Sequence, residues 1–175
     1  VFEDIFVDRD GRSERVAQFC EQTPTGLVSA ILNGSVGGFL CNKLFRKETV
    51  RRSRARHRSG LTGNEDVCYL CEFLSSDCKV VYLAQAHYHY EQRGGSLVHL
   101  GFRRHLESMR KIAKILDDCL PQECRGAFRI WKERVRYEAV MCPDMSTEDL
   151  DTFLPEVVRL CAYHPCYAKR VLFWL

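Results

Sequence analysis

The sequence has no long apolar run, and this absence argues against a membrane span. The most apolar stretch, 26–40, is interrupted by glycines, serines and an asparagine, whereas a spanning helix needs roughly 18 or more consecutive apolar residues. Proline is scarce, with 5 in 175 residues. Apolar residues make up 46% of the chain and charged residues 28%, which excludes a disordered composition. We therefore expect one packed domain over 1–175.

Catalytic and nucleotide-binding motifs are also absent. The sequence contains no HExxH, P-loop, GxSxG or GxGxxG pattern, and these are the patterns that bring reacting groups together in zinc proteases, NTPases, serine hydrolases and dinucleotide enzymes. Cys166 lies near His164, but no Asp or Asn is placed to orient that imidazole as a base. We therefore expect a protein that is not an enzyme.

The ends of the chain and its cysteine content bear on where the protein works. No secretory leader is visible, the chain starts at Val1, and it ends on an apolar run at 171–175, so we expect the ordered part of a longer protein. Ten cysteines in 175 residues lie below the roughly 8–10% that marks small disulfide scaffolds. The expected location is intracellular, and a basic segment described below favours the nucleus.

Apolar residues at three- and four-residue spacing predict helices along most of the chain. The predicted helices cover 13–22, 27–45 with a break near Gly34, 65–89, 97–120, 123–141 and 146–161, before a final segment at 166–175. Only 1–9 alternates like a strand, and it is too short to form a sheet alone. The prediction is an all-α fold, a single irregular helical domain of about five to seven helices.

Positive charge is concentrated in one segment. Between 43 and 58 eight residues are basic and only Glu48 is acidic, although the net charge of the whole chain is +3. Such a segment is typical of phosphate contacts with DNA or RNA, or of a nuclear import signal; the alternative is a solvated helix end that leads into a loop. The candidate nucleic-acid-binding residues are Lys43, Arg46, Lys47, Arg51, Arg52, Arg54, Arg56 and Arg58, and 46–64 is the basic segment with its loop.

The pair Cys68 and Cys71 is the candidate metal site. Residues three apart on a helix share one face, so both sulfurs can reach one tetrahedral Zn²⁺. A second pair with the same spacing completes a structural site with four protein ligands, Cys68, Cys71, Cys161 and His164. Residues that can replace one of these ligands are Cys78, Cys142, Cys166, His87 and His89.

Two alternatives to zinc stay open for the cysteine pair. Free cysteine is often buried as a small apolar residue, so both thiols can simply belong to the core. A redox dithiol is the weaker alternative, because such motifs normally lie in a βαβ context that the sequence does not predict.

The segment VCYLCEFL at 67–74 resembles the cysteine-pair helix of a cysteine-rich family of herpesvirus DNA-packaging accessory proteins, in which a C-x-L-C-E-x-L-like stretch supplies zinc ligands. The resemblance carries over Cys68 and Cys71 only. In that family a histidine precedes a cysteine-aspartate-proline turn, and 142–144 has no histidine close upstream. The resemblance implies a viral nuclear protein that folds around zinc and works in a multi-protein assembly near DNA.

Two functional hypotheses follow from these features. The leading one is a non-catalytic, zinc-stabilised helical scaffold that binds protein partners in a larger assembly, such as one for viral genome packaging. The alternative is a nucleic-acid-binding protein that uses 43–58 for phosphate contacts.

Overall fold

The fold is α/β, and the predicted all-α fold is wrong. A computed structural model describes residues 1–92 and 105–142, and this part contains a three-stranded sheet in addition to five α-helices. The elements are β1 (Phe2–Arg9), β2 (Arg12–Val16), α1 (Pro24–Asn33), α2 (Lys47–Arg52), α3 (Glu65–Leu74), β3 (Tyr82–Glu91), α4 (Leu106–Cys119), a 3-10 turn (Gln122–Cys124) and α5 (Arg125–Met141).

The sheet has the strand order β2-β1-β3. Strands β1 and β2 are antiparallel and are joined by Asp10 and Gly11, whose φ angles of 50° and 75° suit the tight hairpin turns that Asp-Gly pairs favour. Strand β3 pairs with β1 in parallel. The helix predicted at 13–22 is therefore wrong, because the hairpin turn directs the chain back along β1.

The helix predicted at 65–89 is also wrong, since it joins two different elements. Helix α3 ends at Leu74, and β3 begins eight residues later at Tyr82. The hydroxyls of Ser75 and Ser76 donate to the carbonyls of Cys71 and Phe73, which satisfies acceptors that a helix end leaves open. The continuous apolar spacing across this boundary conceals the change from helix to strand.

The start and the end of helix α1 are set by the residues at and next to its two termini. Thr23 caps its start by accepting a 3.0 Å hydrogen bond from the Gly26 N–H, and Pro24 occupies the first turn, where its missing N–H costs nothing. Gly34 follows the helix with a φ of 88°, the left-handed conformation that glycine accepts most readily. The predicted break near Gly34 is thus confirmed, but no α-helix is present at 39–45.

The core lies between α1, α3, α4 and α5. Helix α1 packs on α3 and α5, and α3 packs on α4. The side chains that are almost fully buried there include Leu32, Leu70, Ile112, Leu116 and Trp131. Helices α4 and α5 lie within the predicted ranges 97–120 and 123–141, whereas the predictions at 146–161 and 166–175 fall outside the described residues.

In 1–92 and 105–142, no helix has both the length and the apolar character needed to cross a bilayer.

Candidate functional site

The basic segment divides into exposed and internally bound side chains. Five of its cations are exposed and make no hydrogen bond or ion pair with the described part of the chain. We call this group the arginine surface, and its members are Arg46, Lys47, Arg51, Arg52 and Arg54. They lie on α2 and the residues that flank it, so the structure presents them together on one short stretch.

Two features turn the arginine surface towards solvent. Val50 of α2 packs against the core, and the charged residues of this six-residue helix are exposed. After the helix, Ser53 and Ala55 are buried at 2% and 4% exposure, whereas Arg54 between them is exposed. An extended chain alternates its side chains between two sides, so the burial of these two neighbours holds Arg54 outwards.

Lys43 does not belong to this surface. Its side chain is buried at 8% exposure, and Nζ donates to the carbonyls of Gly37 at 3.0 Å and Phe39 at 2.7 Å and to Asn42 Oδ1 at 2.8 Å. Burial lowers the pKa of Lys43 to about 8. The ammonium group therefore holds the loop at 37–43 together and is not presented to a phosphate.

Arg58 is also held internally. Its guanidinium makes two parallel hydrogen bonds to the Glu72 carboxylate, 2.5 Å from Nη1 to Oε2 and 2.7 Å from Nη2 to Oε1. Glu72 lies in α3 and is buried at 7% exposure, and this paired geometry is the strongest that an arginine makes with a carboxylate. The hydrogen bonds that Arg58 donates to Glu72 raise the pKa of the guanidinium. The pair attaches the end of the basic segment to α3.

Two further contacts fix the course of this segment. Arg56 Nη1 donates to the carbonyls of Ser53 and Ala55 at 3.0 and 2.7 Å, so this guanidinium closes a local loop and is only partly available to a ligand. The His57 ring stacks on Tyr69 of α3 with 4.5 Å between centroids. The backbone next to the arginine surface is therefore attached to α3 through two successive residues, His57 on Tyr69 and Arg58 on Glu72.

The predicted cysteine pair lies inside the core. Cys68 and Cys71 are exposed by 1% and 0%. Both lie on one helix, α3, as the spacing predicted, and their burial is what the alternative of two core cysteines expects. Burial raises the pKa of the Cys68 thiol to about 11 and that of Cys71 well above its ordinary value. Neither thiol is in a disulfide.

Cys119, at the end of α4, lies close enough for its charge to act on both thiols of α3. Burial likewise raises the pKa of Cys119 to about 11. Sequence reasoning missed this third cysteine, because 48 positions separate it from Cys71 and only the packing of α4 on α3 brings the two together.

The other predicted metal ligands are dispersed or undescribed. Cys161, His164 and Cys166 lie outside the described residues. Over 1–92 and 105–142, no cluster of three or more His, Cys, Asp or Glu side chains is arranged to hold a metal. His87 and His89 pair with Glu3 and Asp8 on the sheet at 2.7 and 2.9 Å, and the thiols of Cys78 and Cys142 are partly exposed and free.

Asp4 is the other polar centre that sequence reasoning missed. It is buried at 2% exposure, yet it accepts hydrogen bonds from Arg15 at 2.9 and 2.7 Å, from the Gln18 N–H at 2.8 Å and from the Tyr82 hydroxyl at 2.6 Å. Burial works against ionisation, but the hydrogen bonds from Tyr82, Gln18 and Arg15 outweigh it, so the pKa of Asp4 is lowered. This carboxylate connects the three strands.

No protein-family model matches the chain, and neither a curated protein nor a solved structure does. The family resemblance at 67–74 therefore stays a prediction that rests on those residues.

Proposed function

We propose that the protein is a non-catalytic binding module that holds DNA or RNA phosphates on the arginine surface. The observation that carries this proposal is the concentration of five exposed cations on one short stretch, none with an ionic partner in the described part of the chain, with Glu48 as the only acid between 43 and 58. Cations that are not engaged within the protein are free to replace the counterions of a phosphate backbone, and the release of those counterions drives association.

Preorganisation supports the same conclusion. The Arg58–Glu72 pair and the His57–Tyr69 stack attach the residues after the arginine surface to α3, and Val50 attaches α2 to the core. Binding then costs the ordering of arginine side chains but little ordering of backbone, and a smaller ordering cost leaves more of the electrostatic attraction as affinity. Duplex backbone contact is favoured over base reading, because the stacking aromatics that single-strand readers use are absent from 46–54.

The salt dependence of duplex binding tests this proposal. About four phosphate contacts give a slope of log K against log salt near −3.6, or roughly a 150-fold loss of affinity between 50 and 200 mM salt. We expect R51A/R52A/R54A to make this slope shallower by about 2 to 3 units. Fluorescence anisotropy with a labelled 20-base-pair duplex measures both quantities.

The matched control removes three positive charges from residues outside the arginine surface. Arg12, Lys79 and Arg129 are exposed and lie outside the arginine surface, so R12A/K79A/R129A changes the net charge equally. We expect its slope to stay near that of the unsubstituted protein. Salt-independent binding, no binding, or equal losses in the two triple variants would contradict the proposal.

A second candidate function is a zinc-stabilised scaffold that binds protein partners, with the viral nuclear assembly implied by the resemblance at 67–74 as its setting. The observation that favours it is the burial of Cys68 and Cys71 on one helix, with Cys119 of α4 packed against the same core cluster. Thiolates are suitable zinc ligands, but the described residues hold no complete ligand set. The candidate therefore needs donors from outside them, such as the predicted Cys161 and His164.

Elemental analysis of the purified chain tests the zinc candidate. A structural site predicts one equivalent of zinc per chain, and removal of two sulfur ligands in C68S/C71S should abolish its retention because a site with two ligands binds weakly. C20S/C41S is the control, since Cys20 and Cys41 lie outside α3. Well under one equivalent in the unsubstituted protein would remove this candidate.

A further inference from the structure

A cleft of about 270 Å³ lies between the loop that follows the arginine surface and helix α4. Residues 58–61 form one wall, and Lys111, Lys114 and Ile115 form the other. Among the described residues, no acidic side chain lines it. Lys111 and Lys114 are three residues apart on α4 and therefore project from the same face of the helix. The cleft thus combines two flexible cations with an apolar floor made by Leu61 and Ile115.

The basic residues around the cleft differ in the ionic partners that they have within the protein. Arg58 is neutralised by its paired hydrogen bonds with Glu72. Lys111 approaches Glu107 at 3.5 Å, but both side chains are mostly exposed, and exposed pairs of this kind contribute little. Lys114 has no ionic partner in the described part of the chain. Excess positive charge therefore remains at Lys111 and Lys114.

The loop wall is positioned by α4 itself. Ser108, buried at 4% exposure, accepts a 2.9 Å hydrogen bond from the Thr62 N–H and lies 3.4 Å from the Gly60 carbonyl oxygen. Gly60 has a φ of 81°, which allows the tight turn at 58–61. The backbone N–H groups of Ser59 and Gly60 have no hydrogen-bond partner among the described residues, so they remain available to an acceptor.

We propose that this cleft binds one phosphate group of a nucleic-acid strand that lies on the arginine surface, an inference that rests on the function proposed above. Lys111 and Lys114 supply the charge, and the N–H groups of Ser59 and Gly60 are the candidate directional donors, since phosphate oxygens accept such bonds strongly. Leu61 and Ile115 pack against the adjoining sugar. Arg58, already bound to Glu72, holds the wall.

The arginine surface and the cleft are close enough along the chain for one nucleic-acid strand to contact both. Arg58 lies four positions after Arg54, so their backbones are at most about 14 Å apart. A duplex strand advances about 3.4 Å per phosphate along its axis, so about four nucleotides cover that distance. The cleft extends the footprint of the arginine surface and needs no second ligand.

The double variant K111Q/K114Q tests the cleft in the same anisotropy assay. Loss of one phosphate contact should make the salt slope shallower by about 0.9 and weaken binding about 8-fold at 0.1 M salt. K79Q/R129Q removes the same charge from residues outside the cleft and should leave slope and affinity unchanged. Amide chemical shifts give a local readout: the duplex should shift the Ser59 and Gly60 signals in the unsubstituted protein and not in K111Q/K114Q.

The outcomes separate this inference from the proposed function. If R51A/R52A/R54A weakens binding but K111Q/K114Q behaves like K79Q/R129Q, the cleft is not a phosphate site and the arginine surface stands. If the unsubstituted protein binds no duplex, both fall. Thermal unfolding of K111Q/K114Q should match that of the unsubstituted protein, because both lysines lie on the surface; an altered midpoint would assign the lysines a structural role and overturn the inference.

Discussion

The helices and the sheet of this protein are stabilised by different kinds of contact. The helices α1, α3, α4 and α5 meet through apolar side chains such as Leu32, Ile112 and Trp131. The sheet is centred on a buried carboxylate, Asp4, with four hydrogen bonds to its oxygens. Apolar burial is insensitive to protonation, whereas a buried carboxylate is not. The comparison therefore predicts that protonation of Asp4 in acid weakens the sheet and that the loss of apolar volume weakens the helical core.

The largest effect is expected in the helical core. Trp131 is exposed by 1%, so Trp131→Ala should lower the free energy of unfolding by about 3–5 kcal/mol through the cavity it leaves. Trp131→Phe is the control, because it keeps most of the ring volume and removes an indole N–H that has no partner in the described part of the chain. Its loss should be clearly smaller. Urea denaturation measures the stability of both variants. Equal losses of stability would contradict the cavity as the cause of the effect of Trp131→Ala.

The second effect concerns the sheet and its pH dependence. Asp4→Asn should cost about 3 kcal/mol near pH 7, because it removes a buried charge from a hydrogen-bonded pair. The pKa of Asp4 is lower in the folded protein, so its stabilising contribution is present above the unfolded value of about 4 and is lost as pH falls through the folded value. The advantage of the unsubstituted protein over D4N should therefore vanish in acid.

Thermal unfolding between pH 2 and 7 measures that difference directly. The control is Asp10→Asn, since Asp10 is exposed in the hairpin turn and asparagine accepts the same positive φ. Its stability difference should be small, because the substituted side chain is exposed. A D4N deficit that persists unchanged at pH 2 would contradict the role given to the carboxylate.

The smallest effect on stability is expected at Lys43, the buried lysine at the start of the basic segment. The pKa of Lys43 is lowered to about 8 by burial, so between about pH 8 and 10.5 the unfolded chain binds more protons at this residue than the folded one. Stability contributed by Lys43 should therefore rise across that window, by roughly 2 kcal/mol.

The pH dependence of stability is measured for the unsubstituted protein and for Lys43→Met. The difference between the two profiles gives the contribution of Lys43 and removes that of the buried thiols. Burial raises the thiol pKa values of Cys68 and Cys119, so those groups act in the opposite direction, and they are common to both proteins. Urea denaturation between pH 7.5 and 10.5 gives the difference. A difference that stays flat or falls with pH would mean that the three acceptors around Nζ keep the ammonium group charged.

Some local features were predictable because short-range chemistry controls them. Gly34 ends α1 because its left-handed conformation suits glycine, and Cys68 and Cys71 share a helix face because of their spacing. The arginines of 46–54 were found because a concentration of charge is a property of composition. The helices predicted at 13–22 and 65–89 failed because apolar spacing alone does not show which backbone partner a segment meets.

The sequence by itself determined both ends of α1, the hairpin turn at Asp10 and Gly11, and the presence of a basic segment, since each depends on the intrinsic preferences of a few adjacent residues. Only the tertiary structure decided that Lys43 and Arg58 are bound internally while Arg51, Arg52 and Arg54 face solvent. It also decided that Asp4 meets Tyr82 and that Cys119 approaches α3. Those outcomes depend on contacts between distant parts of the chain, which only the packing of sheet and helices brings together.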